Sequence, residues 1–174
     1  AEQYEWTEND DTNDRVIGID PGFGSSEFGI CVIQKRKGKK SVIYAEAFER
    51  ASYIDIINKV KNLSLKFKTK RLFVDGSWPE GIRDLRDKEH MNVQSINFNQ
   101  YGEKMLNYAA NSIDFQQVEI HPIFKKLKMQ LMTIKFNKKG GTNKTPQNPF
   151  DLGDAFLLAL YYYKMGSGTL AGVG

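Results

Sequence analysis

One cysteine, Cys31, in 174 residues leaves no partner for an internal disulfide, so no covalent staple holds the fold. The same scarcity argues for a reducing compartment. No apolar run approaches the ~18–20 residues that a membrane span needs. The opening stretch, Ala1 to Asp11, is acidic and polar and does not read as a signal peptide. Histidine is scarce as well: His90 and His121 stand isolated and read as surface or structural groups. What remains is 40% hydrophobic and 26% charged, close to ordinary globular usage, which sets aside disordered, collagen-like and disulfide-framework classes. The length fits one domain with a core of its own. A chain opening on Ala rather than Met is expected to be processed or cut from a longer protein.

Charge is unevenly placed. The net charge is +4, yet residues 1–14 hold six acids and no Lys or Arg. The remainder therefore carries all 25 basic residues against 15 acids, a net +10. A basic body with a small acidic arm suits a nucleic-acid binder, although a basic face can also be merely solvated. Residues 1–14 read as a linker or tail, 15–165 as the folded domain, and 166–174 as a flexible tail.

The apolar run Val16 to Ile19 ends at Asp20-Pro21-Gly22, where proline stops the strand. Gly29 to Gln34 reads as a second strand. The basic turn KRKGKK leads into a third, Ser41 to Phe48. Ser52 to Phe67 has apolar residues at helical spacing, with Ser52 a candidate N-cap. Then come a buried strand, Arg71 to Asp75, a helix, Pro79 to Lys88, and a strand, Val93 to Phe98. A helix at Gly102 to Ile113, a strand at Val118 to Ile120 and a helix at Pro122 to Met132 follow. A Lys/Gly/Asn/Pro loop, Lys135 to Asn148, precedes an apolar helix at Phe150 to Lys164. The order β-β-β-α-β-α-β-α-β-α-loop-α predicts an α/β protein. Its mixed sheet has an antiparallel three-strand meander on one side, parallel strands on the other, and helices on its flanks.

Four carboxylates stand out. Asp20 and Asp75 each end an apolar strand, and open α/β sheets place ligands at that edge. Each could equally be turn chemistry, but the two strands are expected to be parallel neighbours, which puts the pair side by side. Asp151 and Asp154 lie three apart at the start of the last helix, hence on one face. Capping of that helix is the plainer role for them. Four converging carboxylates repel by ~4 kcal/mol per pair at 4 Å, taking an effective dielectric near 20. Hard divalent cations with oxygen ligands relieve this, and two such ions cleave phosphodiesters.

The segment VIGIDPGFGSSEFGICVI resembles the opening strands of the RNase H-like nucleases, especially RuvC-type resolvases and the nuclease domains of viral large terminase subunits. DLGDAFLLAL looks like their D-x-x-D-A helix. RLFVDGSWPEGIRDLRDK, Tyr101-Gly-Glu-Lys-Met and HPIFKKLKMQL look more like terminases. The resemblance runs from Val16 to Lys164. It implies an RNase H-like fold, with two Mg²⁺ or Mn²⁺ ions held by Asp20, Asp75 and Asp151 or Asp154, all four being candidate catalytic and metal-binding residues. It implies an endonuclease that cuts double-stranded DNA during viral genome packaging, beside an upstream ATPase motor and a portal or procapsid, in the host cytoplasm and away from membranes. There are departures: resolvases usually have Glu where this chain has Asp75, and many terminases have Asp where it has Glu27, which could be an auxiliary ligand but reads first as a turn acid. A RuvC-type junction resolvase and a non-catalytic DNA-binding module are the alternatives.

Seven lysines without an acid between Lys125 and Lys144 suggest phosphate contacts, with Lys138, Lys139 and Lys144 the DNA-binding candidates. Gly140 to Thr145 lacks the second glycine of a P-loop, so no ATPase is expected here. Cys31 and Trp78 read as core.

Overall fold

The computed structural model describes residues 2–3, 14–22, 27–49, 51–133 and 150–165. Lys138, Lys139, Lys144 and the Gly140 to Thr145 segment lie outside the described residues.

A seven-stranded mixed sheet forms the centre. Its core is a meander of β2 (Arg15–Asp20), β3 (Glu27–Arg36) and β4 (Lys39–Glu49), paired antiparallel. β5 (Arg71–Asp75) lies parallel to β2, and β6 (Asn92–Ile96) lies parallel to β5. The outer edge of β4 carries two short strands: β1 (Glu2–Gln3), antiparallel at Tyr44 and Ala45, and β7 (Val118–Glu119), parallel at Lys40 and Ser41. β1 falls within residues 1–14, the stretch that the sequence reads as a linker or tail. A two-residue strand has no periodicity to detect.

Strand alternation sorts the side chains into two layers. Ile17, Ile19, Phe28, Ile30, Val32, Leu72 and Val74 face α1 (Tyr53–Lys66) and α2 (Pro79–Asp87). Val16, Cys31, Ile33 and Phe73 face α3 (Phe98–Asp114), α4 (Lys125–Thr133) and α5 (Asp151–Met165). The result is a helix–sheet–helix sandwich. Cys31 is fully buried and Trp78 is 2% exposed, edge-on to Tyr53, so both are core, as the sequence implies. Among the described residues, no helix is long and apolar enough to cross a membrane.

Local chemistry sets several boundaries. Ser52 caps α1: its Oγ accepts from Asp55 N at 3.1 Å while Asp55 Oδ2 accepts from Ser52 N at 3.3 Å. Removing this reciprocal cap by Ser52→Ala is expected to cost about 1 kcal/mol. Urea unfolding at constant m-value checks this, and an unchanged midpoint would mean the cap contributes nothing. α3 starts at Phe98, one turn before the expected Gly102, because Asn97 Oδ1 accepts from Asn99 N at 2.8 Å. α4 starts at Lys125 rather than Pro122. There a turn intervenes in which Phe124 N donates to His121 O at 3.0 Å.

The far end of α5 is tied to the sheet. The Tyr163 hydroxyl donates to the Asp14 carbonyl and lies 3.2 Å from that of Ile33. Fully buried Arg15 closes the same end, with Nε on Gln34 Oε1 at 2.7 Å and Nη1 on Phe67 O at 3.0 Å.

Candidate active site

The site begins with two glycines. A Cβ on Gly18 would lie 2.7 Å from Ala159 N and 2.9 Å from Ala159 Cβ. One on Gly29 would lie 2.5 Å from Asp151 O and 2.8 Å from Leu152 Cα. β2 and β3 therefore let the α5 backbone lie directly on the sheet, which larger residues would prevent. Gly29 is also the register partner of Asp20, so the start of α5 sits over the end of β2.

Asp20 is two residues after Gly18 and faces the same helix. It is 6% exposed, and Asp151 and Asp154 are each 8% exposed. Burial, followed by the charge of Asp154, holds the Asp20 carboxyl well above the usual carboxylate range, and Asp151 adds to the effect. Asp20 and Asp154 also share a side-chain hydrogen bond. The Gly22 N–H, donated to Asp20 Oδ1 at 2.9 Å, acts in the opposite direction. In the first turn of α5, the Gly153 N–H is met by Gln130 Oε1 of α4 at 2.9 Å. One free amide of that turn is thus satisfied from outside, without drawing on either aspartate.

Asp75 ends the neighbouring parallel strand, one position beyond the Ile19–Val74 pairing. By alternation from Phe73 it faces the α5 side. Its Oδ1 accepts from Ser77 N at 3.1 Å, and its carboxyl opens into a polar cleft of about 490 Å³ lined also by Ser95, Asn97 and Asn99. The structure therefore gathers Asp20, Asp151 and Asp154 into one buried group and sets Asp75 one strand away at the same edge. As they stand, no three His, Cys, Asp or Glu among the described residues are close enough to hold a metal ion.

Glu27 requires a correction. It is not a turn acid: it is the first residue of β3, 9% exposed, on the same face as Gly29 and Asp20. Its Oε1 meets Lys126 Nζ of α4 at 2.8 Å. That pair joins residues 99 apart in sequence, which no local pattern could reveal. The glycines that seat α5 did leave a signal, since glycine inside an apolar strand marks a close approach of backbone.

The donor set is chemically suited to a hard cation. It is all carboxylate oxygen, two of its members already share a hydrogen bond, and burial denies them water.

No protein-family model matches the chain, and no curated protein matches it in sequence. Solved structures share its architecture. The large terminase nuclease of thermophilic phage G20c with bound magnesium has a TM-score of 0.68 at 18% identity, covering 91% of this chain and 84% of that one. The large terminase nuclease domain of bacteriophage SPP1 with bound Mn has a TM-score of 0.63 at 15% identity, covering 94% and 95%. The large terminase of another thermophilic bacteriophage has a TM-score of 0.71 at 13% identity, covering 88% of this chain and 40% of that one. At such identities the likeness establishes the fold, the RNase H-like mixed sheet expected from the sequence.

Proposed function

We propose that the chain is a metal-dependent endonuclease that cuts double-stranded DNA, working as the nuclease unit of a large terminase during viral genome packaging. The observation that carries this reading is the buried Asp20–Asp154 pair with Asp151 beside it, on a fold shared with terminase nucleases. Asp20, Asp75, Asp151 and Asp154 would hold two Mg²⁺ or Mn²⁺ ions. When bound, such ions activate water and offset charge on a phosphodiester.

The chain's own residues do the rest. Asp20 is held by the Gly22 amide, so its carboxylate is oriented before any ion arrives. Asp75 faces the open cleft, where Ser95, Asn97 and Asn99 can donate hydrogen bonds to phosphate oxygens. Lys126 neutralises Glu27 and limits the negative charge that an incoming polyanion meets. The +10 body would attract DNA through its backbone. In this reading an ATPase motor and a portal or procapsid are its partners, in the host cytoplasm.

Incubating the protein with linear duplex and with a four-way junction, in Mg²⁺ or Mn²⁺ and in chelator, tests the proposal. Cleavage of the linear duplex that chelator abolishes is expected. Cutting confined to the junction would select a resolvase, and no cutting with either metal would leave a DNA-binding module.

A further inference from the structure

β3 and β4 are joined by a two-residue turn, Lys37-Gly38, at the end of the sheet opposite the carboxylates. Both residues have positive φ, 49° and 81°, the pair of values that matches the twist of the flanking strands. The second position is glycine, as such a turn favours. The first is lysine, where Asn, Asp or Gly is the usual choice, so a charge stands where conformational preference alone would put another residue.

Its neighbours repeat the pattern: Lys35, Arg36, Lys39 and Lys40 complete five cations in six residues. Lys35, Lys37 and Lys39 are exposed, and none of the three pairs with a carboxylate among the described residues. Elsewhere Lys59, Lys61 and Lys88 do, with Glu46, Glu89 and Asp84. Lys40 is half-buried, and burial with the nearby Lys35 charge lowers its affinity for a proton. Glu119 and His121 line a hollow of about 300 Å³ with Arg36 at the base of the hairpin. Asp14, one residue before the Arg15–Gln34 pairing, stands across from Lys35, so among the described residues two acids face five cations and the tip keeps a net positive charge.

We infer that this hairpin tip is a second contact for the backbone of duplex DNA, separate from the carboxylate edge. It rests on the reading of DNA as substrate. From Glu27 to Arg36 is nine strand steps, about 30 Å at 3.3–3.4 Å each. A duplex must therefore extend at least about nine base pairs beyond the cut to reach both. The tip offers lysine, arginine and glycine, and no amide or aromatic side chain, so it tracks phosphates and does not read bases.

The test is binding of a 30-base-pair duplex in EDTA, monitored by fluorescence anisotropy across a salt series, which needs no cleavage. K35A/K37A/K39A should flatten the slope of log affinity against log salt by up to about 2.7, at about 0.9 per lost contact, alike on unrelated sequences. K35R/K37R/K39R should keep the wild-type slope. K59A/K61A/K88A, which removes the same charge from paired lysines, should leave the slope nearly unchanged. A hairpin variant that behaves like wild type, or no differently from the paired-lysine variant, overturns the assignment and leaves the nuclease reading standing. Wild-type protein that does not bind duplex in EDTA overturns the hairpin contact, while the cleavage assay with Mg²⁺ or Mn²⁺ decides the nuclease reading separately.

Discussion

Replacing Asp154 with Asn is expected to abolish metal-dependent cleavage of duplex DNA, lowering the rate by at least about 10³-fold. The same change is expected to raise the melting temperature of the metal-free protein. Both effects have one origin. Asp20 and Asp154 are buried together, and the Asp154 charge adds to the cost of ionising Asp20. Asn keeps the shape and can donate to Asp20, so one buried charge disappears without leaving a gap. Relief of about 1 kcal/mol moves the midpoint of a domain this size by ~2–4 °C. In the proposed function, however, a cation would lose one of its carboxylate ligands. Cleavage assays and thermal melts of the same preparation give the answer. Full activity would remove Asp154 from the site, and lost activity with a lowered midpoint would make its role structural.

Gly18→Ala is expected to cost about 3 kcal/mol and to lower the midpoint by roughly 6–12 °C. The added carbon meets the Ala155 carbonyl, Ala159 N and Ala159 Cβ, and backbone of a helix cannot step aside as a flexible side chain does. α5 must lift from β2. Since Asp20 is two residues further along the same strand face, the lift separates it from Asp154. Cleavage by the folded fraction should fall along with stability. A midpoint within a degree of wild type would show that α5 does not rest on Gly18.

Much of this could be read from the residues. The meander, the parallel strands and α5 follow from apolar runs broken by strong turn chemistry, and Asp20, Asp75, Asp151 and Asp154 stand where those runs stop. Features made by distant segments meeting were hidden. Glu27 acquires its character from Lys126, and Gly153 is served by Gln130. Some signals are local but compete: the apolar Phe98 extends the strand pattern from Val93, while Asn97 caps the helix that in fact begins there. Pro122 looked like a first helical residue but belongs to the turn before α4.

The chain order of the clustered acids has a consequence for the protein as it is made. Asp20 lies near the start and Asp154 134 positions later, and the helix that carries Asp154 is fastened through Tyr163 to Asp14 and Ile33. Contacts of such long sequence separation form late, because the loop between them must first close. Synthesis proceeds from the N-terminus at roughly 5–20 residues per second, so the strands emerge many seconds before α5. Until α5 leaves the ribosome and docks, Asp20 has no carboxylate partners from that helix. On the proposed function, a nascent chain is thus unarmed, and the site appears only once α5 has been translated and packed.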